Sequence, residues 1–179
     1  MKYGRINVNP HRCVACHTCE LSCSIAHSKS QDLVGMLDEE VKPPPRVHVG
    51  AFAGRATPVQ CRHCEDSPCA KVCPADAITR EAPGEPVILD WEKCKGCGAC
   101  PLACPYGVLE MVPFEGKKKK VSHKCDLCID RLRKDQAPAC ASSCPTEAIT
   151  FVESKEPLKA KYLVEYASNG QATEPENWL

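Results

Sequence analysis

The chain has 179 residues, with 23 Lys and Arg balanced by 23 Asp and Glu, and sixteen cysteines. Its apolar fraction of 43% counts those cysteines, and only three Phe, two Trp and four Tyr are available to fill an interior, so a conventional core is thin and clusters are expected to supply much of it. No stretch approaches the roughly 18 apolar residues of a membrane span, and Met1 to Val8 shows neither an apolar leader nor a twin arginine, which points to the cytoplasm.

In chain order, Ile6-Asn7-Val8 reads as a short strand leading into Cys13, Cys16, Cys19 and Cys23. This C-x2-C-x2-C-x3-C run is the one bacterial ferredoxins use to hold iron–sulfur cubanes. Residues 24–60 form an insertion. Within it Val41-Lys42-Pro43-Pro44-Pro45-Arg46-Val47-His48-Val49 reads as a stiff polyproline stretch entering a strand, either docking a catalytic subunit or connecting modules rigidly. Cys61, Cys64, Cys69 and Cys73 repeat the first run with a wider middle gap. Cys73-Pro74-Ala75-Asp76-Ala77-Ile78-Thr79 recurs as Cys144-Pro145-Thr146-Glu147-Ala148-Ile149-Thr150, and Cys104-Pro105-Tyr106-Gly107-Val108-Leu109-Glu110 is a looser copy. Proline after the last cysteine cannot continue a helix, so the chain turns there into another strand.

Val87-Ile88-Leu89-Asp90 fits the strand before the third run, Cys94, Cys97, Cys100 and Cys104, where Gly96 and Gly98 let the backbone pass close to cluster sulfurs. Lys117 to Lys120 reads as a solvated hairpin turn ahead of Cys125, Cys128, Cys140 and Cys144, which keep both flanking spacings around a gap of eleven residues. After Thr150 the pattern gives way to a tail ending in Trp178-Leu179, either an anchor for a partner groove or a frayed end.

Three chemistries use cysteine at this density. A secreted disulfide framework belongs to shorter chains with a leader. Zinc needs two C-x2-C pairs per ion and has no use for a tight triplet of thiolates, so a zinc scaffold is the weaker reading. A cubane takes one thiolate on each of four irons, and sixteen cysteines in four runs imply four 4Fe–4S clusters. Sixteen thiolates and four oxidised cores of about +2 each leave roughly −8, which argues against nucleic acid as a partner. Each run also opens beside a cation: Arg12, Arg62, Lys93 with Lys95, and Lys124. His17 and His63 sit inside runs whose thiolates are already complete, so they read as neighbours of ligands. His11, His27, His48 and His123 offer no constellation, and no nucleophile–base pair or phosphate loop is present.

In two-cluster ferredoxins the fourth cysteine of each run ligates the other run's cluster. The interval from Pro74 to Lys93 is ferredoxin-like, so runs two and three form an inner module (61–112) and runs one and four an outer one (1–23 with 121–152). Residues 24–60 are then a connector and 153–179 a tail. The expected sets are Cys13, Cys16, Cys19 with Cys144; Cys61, Cys64, Cys69 with Cys104; Cys94, Cys97, Cys100 with Cys73; and Cys125, Cys128, Cys140 with Cys23. Ligand spacing alone also permits pairing run one with two and run three with four.

From about residue 3 to 152 the chain resembles the four-cluster, ferredoxin-like electron-transfer subunits linked to dimethyl-sulfoxide reductase, formate dehydrogenase and carbon monoxide dehydrogenase. The resemblance implies an α+β fold of two pseudo-symmetric ferredoxin modules, one nested in the other, without substrate chemistry of its own. It also implies a catalytic redox partner, favoured as a tungsten- or molybdenum-pterin enzyme of aldehyde-oxidoreductase type, with a further redox subunit or soluble carrier. Formate dehydrogenase, hydrogenase and carbon monoxide dehydrogenase are the alternatives. Ser24 after Cys23 departs from the Cys-Pro pattern and leaves the local turn open.

Overall fold

The computed structural model describes residues 3–52, 54–114 and 118–154. Strands are short and join in pairs. β1 (Tyr3–Val8) runs antiparallel to β8 (Ile149–Ser154), with Val8 opposite Ile149. The strand leading into the first quartet is therefore closed by the strand leaving the fourth. β4 (Ile78–Thr79), leaving the second quartet, pairs with β5 (Ile88–Leu89), entering the third. β6 (Glu110–Val112) pairs with β7 (Val121–His123), joining the exit of the third quartet to the entry of the fourth. The insertion supplies a hairpin of β2 (Val47–Phe52) and β3 (Arg55–Gln60) that delivers the chain to Cys61.

The helices repeat this grouping. α1 (Thr18–Ala26) packs on α6 (Ala139–Ser142), and α3 (Pro68–Lys71) packs on α4 (Ala99–Ala103). Helices α3, α4 and α6 have four or five residues and stop just before or at the Cys-Pro dipeptide. α1 has no such stop, because Ser24 follows Cys23, and it continues for nine residues. The turn left open by Ser24 is thus a helix. Two further helices lie where periodicity gave no signal. α2 (Leu33–Asp38) sits inside the insertion, its N-terminus capped by Asp32, whose carboxylate accepts from Gly35 N–H at 2.8 Å. α5 (Ile129–Leu132) occupies the first four residues of the long gap of the fourth quartet.

Two buried clusters form the core, and cysteine is part of both. One gathers Cys61, Cys69, Cys100 and Cys125 with Ile78, Val87, Val108 and Leu109. The other joins Cys19, Cys23 and Cys140 to Val47 and Ile149. The polyproline stretch ends at the buried Arg46, whose backbone N–H donates to Cys23 Sγ at 3.2 Å, so the insertion folds back onto the first quartet. The strand expected from Val87 to Asp90 is only Ile88–Leu89, because the Asp90 carboxylate turns back to accept from Glu92 N–H at 2.9 Å. Lys118 to Lys120 are exposed between β6 and β7, whereas Lys117 and the terminal Trp178-Leu179 lie outside the described residues. Among the described residues no helix is long and apolar enough to cross a membrane.

Candidate metal centres

Each quartet opens with the same backbone device. The residue just before the second cysteine is left-handed in all four: Ala15 at φ 55°, His63 at 48°, Gly96 at 67° and Leu127 at 61°. This curls the loop around the first sulfur, and backbone amides point inward. His63 N–H donates to Cys61 Sγ at 3.4 Å and Leu127 N–H to Cys125 Sγ at 3.3 Å. The third cysteine of every quartet, Cys19, Cys69, Cys100 or Cys140, is then the second residue of a helix. Three of the quartets close alike. Asp76, Gly107 and Glu147 are left-handed, and their N–H groups donate at 3.2–3.3 Å to the carbonyls of Cys73, Cys104 and Cys144. The glycines announced these turns most plainly in the sequence, since alanine and leucine carry no local signal for positive φ.

Two cavities are walled by cysteine. One is lined by Cys94, Cys97 and Cys100 of the third quartet and Cys73 of the second. The other is lined by Cys61, Cys64 and Cys69 with Cys104. His63 lines the second cavity. Its Nδ1 accepts from Val87 N–H at 3.0 Å, so the proton resides on Nε2, which is buried and has no partner among the described residues. Burial, reinforced by Lys124, holds this imidazole well below its usual pKa and keeps it neutral.

Quartets one and four meet through α1 and α6. As thiolates, Cys128, Cys23 and Cys19 repel Cys140, and Cys144 repels both Cys16 and Cys19, so these sulfurs share one neighbourhood. Side chains that the sequence left without a role surround this neighbourhood. His27 Nε2 faces Asp126 Oδ1 at 3.1 Å, and Arg46 pairs with Asp126 Oδ2. Burial opposes the charge of His27, yet hydrogen bonds to Asp126, Cys128 and Cys23 hold its pKa up at about 12. Burial also opposes the carboxylate of Asp126, but His27 and Arg46 keep it far below the usual range. Lys124, 2% exposed, donates to the carbonyls of Val87 and Cys125 and links the two halves. His17, by contrast, turns away to pair with Glu20 Oε2 at 2.9 Å.

All sixteen cysteines are free thiols. Burial pushes Cys19 up to about 11 and also raises Cys125 and Cys140, so without metal these sulfurs resist becoming thiolates. A bound metal inverts that preference. Thiols converging on a shared space, inward amides and the unpartnered Nε2 of His63 fit a compact anionic iron–sulfur group.

These features define a ferredoxin-like iron–sulfur protein whose sixteen cysteines provide for four 4Fe–4S clusters, an electron-transfer class. The chain belongs to the 4Fe-4S dicluster domain family, whose model matches residues 52–154. It is 38% identical over 153 residues to the electron transport protein HydN of Escherichia coli strain K12, covering 79% of this chain and 83% of that one. It is 34% identical over 163 residues to a sulfite dehydrogenase subunit of Allochromatium vinosum, covering 81% of this chain and 66% of that one. Against some longer curated relatives it spans only 20–21% of their length. Among solved structures it aligns with the active site complex BamBC of benzoyl coenzyme A reductase with bound zinc at a TM-score of 0.44 and 18% identity, covering 97% of this chain and 94% of that one. So low a score bears on neither fold nor function.

Proposed function

We propose that the chain is a non-catalytic relay subunit, carrying electrons through four 4Fe–4S clusters between a catalytic redox subunit and a further subunit or soluble carrier. The observation that supports this most is the make-up of the two cavities: each is lined by the first three cysteines of one quartet and the fourth of the other. That exchange is what a ferredoxin module requires. By the same logic Cys13, Cys16 and Cys19 take Cys144, and Cys125, Cys128 and Cys140 take Cys23. The pairing of β1 with β8 and of α1 with α6 supports an outer module (1–23 and 121–152) enclosing an inner one (61–112), with 24–60 as connector.

When bound, each cluster accepts and returns one electron. The chain's own cysteines would hold its irons, and backbone N–H groups would donate to its sulfurs. Sixteen free thiols suit a reducing compartment, which favours the cytoplasm. A catalytic partner is supported by the similarity to a sulfite dehydrogenase subunit, and the resemblance of the sequence favours a tungsten- or molybdenum-pterin enzyme. Copurification from the native host, followed by tungsten, molybdenum and nickel analysis, tests the partner. A complex containing tungsten or molybdenum supports it, and a chain that catalyses a substrate reaction by itself overturns the relay reading.

A further inference from the structure

The sixteen cysteines differ in how much solvent they meet. Cys16 of quartet one and Cys97 of quartet three are exposed, and the others are partly or wholly buried. Electron transfer between proteins weakens steeply with distance, so these two exposed cysteines mark the edges at which a redox partner can come close.

The two edges are built differently. At quartet one the polar side chains face one another: Arg12 Nη2 lies 3.1 Å from Glu147 Oε2, and His17 Nδ1 lies 2.9 Å from Glu20 Oε2. Val14, between the first two cysteines, is 64% exposed. At quartet three the connection between β6 and β7 lies against the ligand loop. A Cβ on Gly96, the residue before Cys97, would overlap the Lys120 backbone oxygen and touch the Lys119 Cβ at 3.4 Å. Two residues further on, Ser122 Oγ lies 3.2 Å from Cys100 Sγ and lines the cavity of Cys94, Cys97 and Cys100. Lys118, Lys119 and Lys120 are all exposed, and among the described residues none of them pairs with a carboxylate. Backbone packing therefore sets a run of cations beside the exposed edge of the third quartet.

We propose that this face, Cys97 with Lys118, Lys119 and Lys120, is the docking site of an acidic, soluble one-electron carrier protein. This rests on the relay reading above and names the chemistry of one of its partners. The iron-loaded chain's summed charge of roughly −8 opposes an acidic partner, but charges more than about 8 Å apart are largely screened at physiological ionic strength, so the carrier responds to the lysine run it meets. Exposed lysine–carboxylate pairs speed encounter more than they hold a complex, which suits a carrier that leaves after each electron. The carrier's redox centre and the cluster site of Cys73, Cys94, Cys97 and Cys100 exchange one electron. One is oxidised as the other is reduced, with no bond made or broken and no proton moved.

The test uses the iron-loaded chain and, as probe, a purified acidic two-cluster ferredoxin. Stopped-flow absorbance follows electron transfer, and isothermal titration calorimetry follows binding. As ionic strength rises from about 0.05 to about 0.5 M, the association rate falls and the dissociation constant rises. Lys118→Gln, Lys119→Gln and Lys120→Gln together lower the association rate at least about tenfold at the low end of that range and flatten its salt dependence. Lys118→Arg, Lys119→Arg and Lys120→Arg together keep the charge, and with it the rate and the affinity. Lys95 is unaltered throughout because it adjoins Cys94. A rate that rises with salt means that the overall charge governs the encounter, and overturns the docking face. An unchanged rate and affinity in the glutamine variant overturns it too. Equal losses in the glutamine and arginine variants also overturn it, since the lysines then act through the fold. Dithionite separates the two readings: a chain that dithionite reduces but that fails these tests loses the docking face alone, whereas iron centres that dithionite cannot reduce overturn the relay.

Discussion

The two halves of the cysteine framework are held together differently. Around quartets two and three the sheet is two residues per strand, the helices have four and five residues, and the interior holds two cavities walled by cysteine. Around quartets one and four the strands β1 and β8 pair over six residues, α1 has nine, and the His27–Asp126–Arg46 chain ties loop to helix. The first half has little regular scaffolding. The second has scaffolding of its own.

Removing iron gives the largest expected effect. Chelation abolishes cooperative unfolding by circular dichroism, because so much of the core is cysteine around metal. Residual amide protection is then found in β1 and β8 and absent from β4 and β5. A cooperative transition in the iron-free protein breaks the comparison.

Single cysteines sharpen it. Cys104→Ser removes or damages the cluster of Cys61, Cys64 and Cys69, and Cys144→Ser that of Cys13, Cys16 and Cys19. Iron falls from about sixteen per chain toward about twelve in each case. The Cys104 variant loses more stability, since its half has less scaffolding.

The glycines of the third quartet separate next. Both are left-handed, but a Cβ on Gly96 meets the Lys120 backbone oxygen at 2.3 Å, while one on Gly98 meets nothing within 4 Å. Gly96→Ala therefore costs about 2–4 kcal/mol by denaturant titration and Gly98→Ala about 1–2 kcal/mol. Equal costs contradict the packing of the β6–β7 connection against this loop.

The smallest effect is on pH dependence, in the other half. The raised pKa of His27, about 12, gives stability that is complete below its unfolded value of about 6.5 and is lost as pH rises from there toward 12. The lowered pKa of Asp126 gives stability that is complete above about 4 and is lost in acid. Between about pH 6.5 and 9.5 the thermal midpoint of the iron-loaded protein falls, and His27→Gln flattens that slope. An unchanged slope contradicts the pair.

Much of the site was legible in the sequence because ligand type and spacing are chemical requirements. The four quartets, the Cys-Pro turns and the family follow from cysteine and proline alone. The left-handed residues at Ala15, His63 and Leu127 were not legible, since the loop imposes a conformation their side chains do not favour. Helix α2 was missed although Asp32 is a good cap, because only six residues follow it. The pairing of His27 with Asp126 spans 99 positions, and no periodicity reports a contact of that kind. One clue was available: Asp126 is a carboxylate between two expected ligands of an anionic cluster, and such a residue needs a cation nearby.

The exchange of fourth cysteines between quartets is the central claim, and a crystal structure of the iron-loaded protein phased on iron anomalous scattering tests it most directly. The account predicts Cys144 Sγ on the same four-iron group as Cys13, Cys16 and Cys19. Finding Cys144 on the group bound by Cys125, Cys128 and Cys140 would contradict it.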